Sequence, residues 1–289
     1  MTAASLALPP RPLRRRATGW LVAAICIAVI ALMLMPLVMS VLASFRPLSE
    51  TSAVPPTYLP SSLSLENYRK VANYQQGIWV YVKNSTLVAG MTILLCLALS
   101  VPAGYALARF PVPGKELWFL LILAPMMVPY QALLVPIYLM FAKMGLTASH
   151  FGLAILHCIL QLPFSVYLMR NSFEAIPREL EEAARVDGAS SFFQLRRVFM
   201  PLAAPGMVTV ALFAFITSWN EFIGALILMN TESAFTVPIM LTGVVSGDFG
   251  SVDWGALQAS VVVSMLPCLL VYLALQKYYV SGLLAGAVK

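Results

Sequence analysis

Six long stretches of this chain carry almost no formal charge, and that pattern limits its possible folds more than any other feature. Residues 17–45, 84–108, 117–142, 144–169, 198–231 and 254–276 contain no Asp, Glu, Lys or Arg except Glu221. About 20 mostly apolar residues suffice for a helix to cross a hydrocarbon core roughly 30 Å thick, and each stretch is that long. The chain is 60% hydrophobic and 10% charged, whereas an ordinary soluble domain is nearer half and a quarter. The uncharged stretch 233–247 is short and carries Ser, Thr, Pro and Gly, so it reads as a partly buried external segment. The expectation is an all-α polytopic bundle of six transmembrane helices.

The cations set the expected orientation. With six spans both termini share one side, which holds Arg11, Arg14, Arg15, Arg16, Arg109, Lys115, Arg170, Arg178, Arg185, Arg196, Arg197, Lys277 and Lys289. The other side holds Arg46, Arg69, Lys70, Lys83 and Lys143. Thirteen against five puts both termini in the cytoplasm by the positive-inside rule. Cations that flank spans, rather than forming one stripe, speak against a nucleic-acid partner. The first apolar run is too long for a signal-peptide core and ends in no small-x-small site, so it reads as a retained helix. Cys26, Cys96, Cys158 and Cys268 all fall inside spans without metal-ligand spacing, which makes them small core residues and leaves no metal site expected.

Three parts follow: an N-terminal cytoplasmic tail 1–18, a membrane domain 19–280 and a cytoplasmic tail 281–289. Between the first two spans, Pro47, Pro55, Pro56 and Pro60 exclude a long helix, while Ser64 can cap a short one before Glu66 and Asn67. A tight turn, Phe110-Pro-Val-Pro-Gly114, joins helices two and three. Prolines 125, 129 and 136 are expected to kink helix three. Helix five is expected from Pro201 to Met229, and helix six to near Tyr279.

The cytoplasmic connection 171–200, between helices four and five, is the most charged part of the chain. Pro177 suits a helix start, Gly188 a bend with positive φ, and Ser190 or Ser191 the cap of a second short helix. The result is two short helices joined at an angle, with Glu179, Glu181, Glu182, Arg178, Arg185, Arg196, Arg197, Phe192 and Phe193 exposed. A docking projection and a helix lying on lipid head groups both use such amphipathic pieces.

Glu182-Ala183-Ala184, Asp187-Gly188 and Val198-x-Met200-Pro201 stand at the spacing of the EAA loop, and the segment resembles that loop in permease subunits of binding-protein-dependent ABC importers. Val and Met replace the usual Ile and Leu. Trp219-Asn220-Glu221-Phe222 is similar to a motif of sugar permeases. The ending from Gln276 to Lys289 resembles the carbohydrate branch that includes the second maltose permease subunit. The resemblance implies a channel-forming subunit of the bacterial inner membrane that moves a carbohydrate by alternating access. It implies a heterodimer with a homologous permease, a cytoplasmic ATPase homodimer and an extracytoplasmic solute-binding protein. ATP and Mg would then bind the ATPase partner, with no cofactor and no catalytic residue on this chain. In keeping with that, Gly114-Lys115 is followed by Glu116 and lacks the earlier glycine of a phosphate loop. Glu182, Ala183, Ala184, Asp187, Gly188 and Pro201 would form the ATPase-coupling set.

For the substrate path, Trp219 offers a ring face to a sugar, and Asn220 and Glu221 offer hydrogen bonds. An intramembrane acid usually faces a cavity or a partner, so Glu221 reads equally as an interhelical clamp with the sister permease. Tyr130 and Gln131 join the path candidates, while His157 and Gln161 read as satisfied packing residues. The competing class is a proton- or sodium-coupled secondary transporter, which needs intramembrane titratable groups and usually repeated halves.

Overall fold

The computed structural model describes the backbone of residues 13–51, 59–245 and 252–287, and the side chains of residues 19–51, 59–245 and 252–276. From the N-terminus, α1 (Leu13–Ser44) is followed by α2 (Leu48–Thr51), α3 (Glu66–Ala72) and α4 (Ile78–Arg109). Next come α5 (Lys115–Leu123), α6 (Leu134–Lys143), α7 (His150–Glu174) and α8 (Arg178–Val186). The remainder holds α9 (Ser191–Gln194), α10 (Met200–Leu202), α11 (Ala204–Asn220), α12 (Ile223–Leu228), α13 (Val237–Val245) and α14 (Trp254–Ala287). Among the described residues there is no strand.

Four segments are unbroken helices long and apolar enough to cross a membrane: Gly19–Ser44, Ile78–Arg109, His150–Glu174 and Trp254–Gln276. Two more are bent pairs, Lys115–Met127 with Tyr130–Lys143 at 89°, and Ser191–Leu202 with Ala204–Asn220 at 77°. Counting each pair as one span gives six.

Both bent pairs depart from the sequence expectation. Helix three is broken, not kinked. Val128, which precedes Pro129, is extended at φ −95°, ψ 124°, because the proline ring disfavours the helical region for the residue before it. Pro136 does not share in the break and sits in the first turn of α6, where a missing N–H is harmless. Helix five starts at Ala204 instead of Pro201, and it stops at Asn220 instead of reaching Met229. Pro201 belongs to α10, before the bend at Ala203. At the far end the backbone of α14 continues to Ala287, past the expected helix end near Tyr279. The side chains of the resemblance-bearing ending beyond Gln276 lie outside the described residues.

The bundle is organised around α4, α7 and α11. A Cβ on Gly104 would stand 2.7 Å from Met169 Cβ and 2.8 Å from the Arg170 backbone N, so α4 and α7 meet backbone to backbone through a small residue, a usual device in membranes. Cys96, Val101 and Tyr105 of α4 pack there with Cys158, Met169 and Phe173 of α7 and with Val210 and Ala214 of α11. At the other end, Tyr81, Phe215 and Trp219 join Val237, Met240 and Val244 of α13 and Ala256 and Ala259 of α14. The uncharged stretch 233–247 thus contributes a largely buried short helix.

The connection after α1 is held by polar contacts. Ser64 Oγ accepts from the Glu66 N–H at 3.2 Å, but the helix cap falls on Leu65 with no side-chain bond among the described residues, so Ser64 lies one residue outside the cap position the sequence suggests. Buried Asn67 donates to Ser44 O at 3.0 Å and Arg46 O at 2.9 Å, closing the end of α1. Lys70 pairs with Asp253, whose other oxygen accepts from the Ala256 N–H at 3.0 Å and caps α14. Burial opposes ionisation of Asp253, yet Lys70 and the α14 N–H groups outweigh it and hold this carboxyl below its ordinary value. Along its length α1 meets α14 and leaves Trp20, Leu32 and Met33 exposed.

Gly104→Val would overpack a backbone contact and should destabilise the purified protein by roughly 1–3 kcal/mol or more. Gly90→Ala, where a Cβ meets open space, should not. Thermal unfolding of both variants in the same detergent checks this.

Candidate functional site

The charged connection folds as a bent arm. Helix α8 ends in a double closure: the Gly188 N–H donates to Arg185 O at 3.0 Å and the Ala189 N–H to Ala184 O at 3.0 Å. With Gly188 at φ +77°, this is the Schellman arrangement that ends a helix on a left-handed residue. Ser190 then caps the next helix, its Oγ accepting from the Phe193 N–H at 3.3 Å. Gln194 Nε2 donates back to Ala189 O at 2.8 Å. The sequence reading of a glycine bend followed by a serine cap is what the backbone adopts. Five residues of π-helix, Leu195–Phe199, carry the arm on to α10.

On the arm, Glu182, Ala183, Asp187 and Gly188 are exposed and Ala184 is half-buried. Val186, Phe192 and Phe193 are exposed apolar side chains. A concavity of about 510 Å³ is lined by Ala184, Asp187, Gly188, Ala189, Ser190, Phe193 and Val198.

What anchors the arm was not legible in its own sequence. Arg109, the last residue of α4, donates to Phe173 O and Ile176 O at the end of α7. It lies over the Phe199 ring, 4.9 Å from its centroid, and meets Glu181 at 3.6 Å with its side chain 3% exposed. Glu181 also binds Arg185 at 2.7 Å. A cation is favoured against the carbonyl ends of a helix. A lone arginine closing an apolar run was the available signal, and the positive-inside rule absorbed it as a flanking charge. Where the arm enters α11, Gly206 packs on α7 so closely that a Cβ would stand 2.1 Å from Ser172 Oγ.

The second group of candidates converges on Glu221, 8% exposed. Tyr130 Oη donates to Oε1 at 2.8 Å, and His157 Nε2 donates to Oε2 at 3.1 Å. The N–H groups of Gly224 and Ala225 donate at 2.7 and 2.9 Å. The chain stops its helix at Asn220, leaving the first N–H groups of α12 open, and the Glu221 carboxylate caps them. The ring of His157, fully buried, also meets Ser218 Oγ through Nδ1 at 2.8 Å. Glu221 is therefore a clamp inside this chain, joining α7, α11, α12 and the elbow of the bent span.

Trp219 takes another direction. It is 1% exposed, stacks on Phe215 with centroids 5.4 Å apart, and donates its N–H to Ser264 O on α14 at 3.1 Å. Its position in this structure is that of a packing residue between α11 and α14, with no open ring face to offer a sugar. Asn220 and Gln131 are exposed and Tyr130 half-buried. Gln161 Oε1 accepts from Thr217 at 3.1 Å, but its buried Nε2 has no partner among the described residues, so of the two residues only His157 is fully satisfied in its packing. Among the described residues no three metal-ligating side chains gather.

A broken-helix membrane bundle with a bent polar arm defines a class of transport subunit, and the comparisons identify it. Residues 100–284 match the family described as binding-protein-dependent transport system inner membrane component. The chain is 33% identical to the trehalose/maltose transport system permease protein of Thermococcus litoralis, covering 93% of this chain and 95% of the relative. It is 32% identical to the diacetylchitobiose uptake system permease protein of Streptomyces coelicolor, over 85% of this chain and 88% of the relative. A crystal structure of a bacterial ABC transporter involved in the import of the acidic polysaccharide alginate contains a chain that superposes with TM-score 0.78 at 25% identity, covering 94% of this chain and all of that one. This chain belongs to the inner membrane components of binding-protein-dependent transport systems. It is a multi-pass transport subunit, and membership of that family favours the ATP-driven reading over the ion-coupled secondary transporter.

The geometry separates Glu221 from its neighbour. Glu221→Ala strands four donors around a vacated site and should destabilise the fold by roughly 3–5 kcal/mol, the range for breaking a buried charged contact. Asn220→Ala, at an exposed position, should stay within about 1 kcal/mol of wild type. Thermal unfolding in detergent distinguishes them, and equal stability of the two variants would remove the clamp.

Proposed function

We propose that this chain is one of two channel-forming permease subunits of an ABC importer that carries a sugar, an oligosaccharide or related carbohydrate, across the bacterial inner membrane by alternating access. The observation that carries the reading is the arm: a backbone bend closed on both sides, bearing exposed Glu182, Val186, Phe192 and Phe193. A surface of that kind suits a rigid partner better than bulk water. The names of the relatives, permeases for trehalose/maltose and for diacetylchitobiose, support the substrate class.

In this reading both termini are cytoplasmic, with residues 1–18 and 281–289 as tails, 19–280 as the membrane domain and 171–200 as the coupling loop. The arm seats on a cytoplasmic ATPase dimer, which binds ATP and Mg. A homologous permease completes the channel, and a solute-binding protein delivers substrate from outside. Closure of the ATPase moves the arm and tilts the spans as rigid bodies. Glu182 and Asp187 make polar docking contacts, Ala183 and Ala184 allow close approach, and Gly188 sets the angle, with Pro201 near the root. Tyr130, Gln131, Asn220 and Glu221 gather at the two helix breaks, where irregular backbone in a membrane lines cavities. Trp219 supports that lining from behind.

Two measurements test this. ATP hydrolysis by the reconstituted complex should rise with a binding protein loaded with its carbohydrate, and no response to any loaded carbohydrate-binding protein would remove the substrate class. Gly188→Val forces a side chain into left-handed backbone, which costs about 1–2 kcal/mol. It should leave membrane insertion intact while lowering both the ATPase retained on the purified permease pair and uptake into vesicles. Unchanged retention and uptake would return the arm to the role of a lipid-surface helix.

A further inference from the structure

On the side of the arm facing α4 and α5 lies a cavity of about 410 Å³, separate from the concavity at the Gly188 bend. Arg109, Lys115, Arg178 and Arg185 line it, with Glu181 and Glu182. Glu181 is already bound by Arg109 and Arg185. Neither Lys115 nor Arg178 forms an ion pair among the described residues. The four cations therefore outnumber the two carboxylates with two of them unspent.

The backbone adds to this charge. Lys115 is the first residue of α5 and Arg178 the first of α8, so two helix starts border the same cavity, and no side chain caps either. Gly114, at φ +65°, turns the chain into α5. Helix starts carry a positive dipole end that draws anions; here the Lys115 N–H is taken by Val112 O at 3.2 Å, and Glu116, Glu179 and Glu181 stand in the two first turns, so the cationic side chains carry the attraction. Arg109 also lines the cavity but is already spent on Glu181 and on two carbonyls at the end of α7, which leaves Lys115 and Arg178 as the cations without an ion pair among the described residues.

The surroundings point to the source of the anion. Immediately after Lys115 and Glu116, α5 exposes Leu117, Trp118, Leu120 and Leu121. Glu116 itself is committed to Arg170 at 2.7 Å. Tryptophan and lysine at the boundary of an apolar helix mark the head-group level of a bilayer. The cavity mouth thus adjoins an exposed apolar helix face. Basic pockets in this position between membrane helices take lipid head groups.

We propose that this cavity binds the phosphate of an anionic phospholipid head group, held by Lys115 and Arg178 at the root of the arm. The lipid would brace α8 against α5 and leave the concavity at the Gly188 bend open. This goes beyond the permease reading and rests on it only for the partner used in the test.

The test uses the assembled transporter in mixed micelles containing phosphatidylglycerol and phosphatidylcholine in equal amounts, with retained lipid measured by native mass spectrometry. Wild type should retain phosphatidylglycerol in preference. Lys115→Gln with Arg178→Gln should lower that retention on the order of tenfold, and each single variant by less, with ATPase retention unchanged in all three. Equal retention in wild type and the double variant overturns the proposal. So does displacement of the lipid by millimolar inorganic phosphate, which would make the site one for a soluble anion. Loss of the ATPase from the single and double variants would also overturn it, since the cations would then belong to the ATPase joint.

Discussion

The Glu221 carboxylate and the four donors around it impose the arrangement on which the rest of the membrane domain depends. A carboxylate cannot remain uncompensated among apolar helices. Tyr130, His157 and the N–H groups of Gly224 and Ala225 saturate it. Tyr130 follows directly on the break at Val128–Pro129, and Glu221 occupies the break between α11 and α12. Two interruptions in separate spans are therefore joined by one hydrogen bond, and backbone that would be untenable alone in lipid becomes tenable as a pair.

Arg109 plays the corresponding part at the C-terminal end of α4. It satisfies the last carbonyls of α7 and reaches Phe199 and Glu181 on the arm. Between these two poles α4 and α7 run in backbone contact at Gly104. The domain is thus a central helix pair with one polar knot inside the bundle and one where the arm leaves it.

Much of this was legible in the sequence, because the signals were local. Charge-free runs of span length gave the helices, and the Pro177, Gly188 and Ser190 punctuation gave the two helices of the arm with their bend. The misreadings concern long-range partners. The sequence pattern carries helix five through Glu221 because nothing in Trp219-Asn220-Glu221-Phe222 announces that the acid caps the next helix. The direction of Trp219 depends on α14, 45 residues away along the chain at Ser264. Prolines 125, 129 and 136 foretold a distortion, but a break of 89° also needs Tyr130 tied to Glu221 to hold it. Arg109 shows the same limit, since its carbonyl and carboxylate partners are brought to it only by the packing of α4 on α7.

The tight seat of Gly206 on Ser172 has a mechanical consequence. Together with the Arg109 contacts, it fastens the chain on both sides of the arm to the end of α7. A force on α8 is then transmitted into the central helix pair instead of being lost as local flexing around Ala203. The Tyr130–Glu221 hydrogen bond ties the elbow at Val128–Pro129 to the gap after Asn220, so the two breaks are coupled to each other as well.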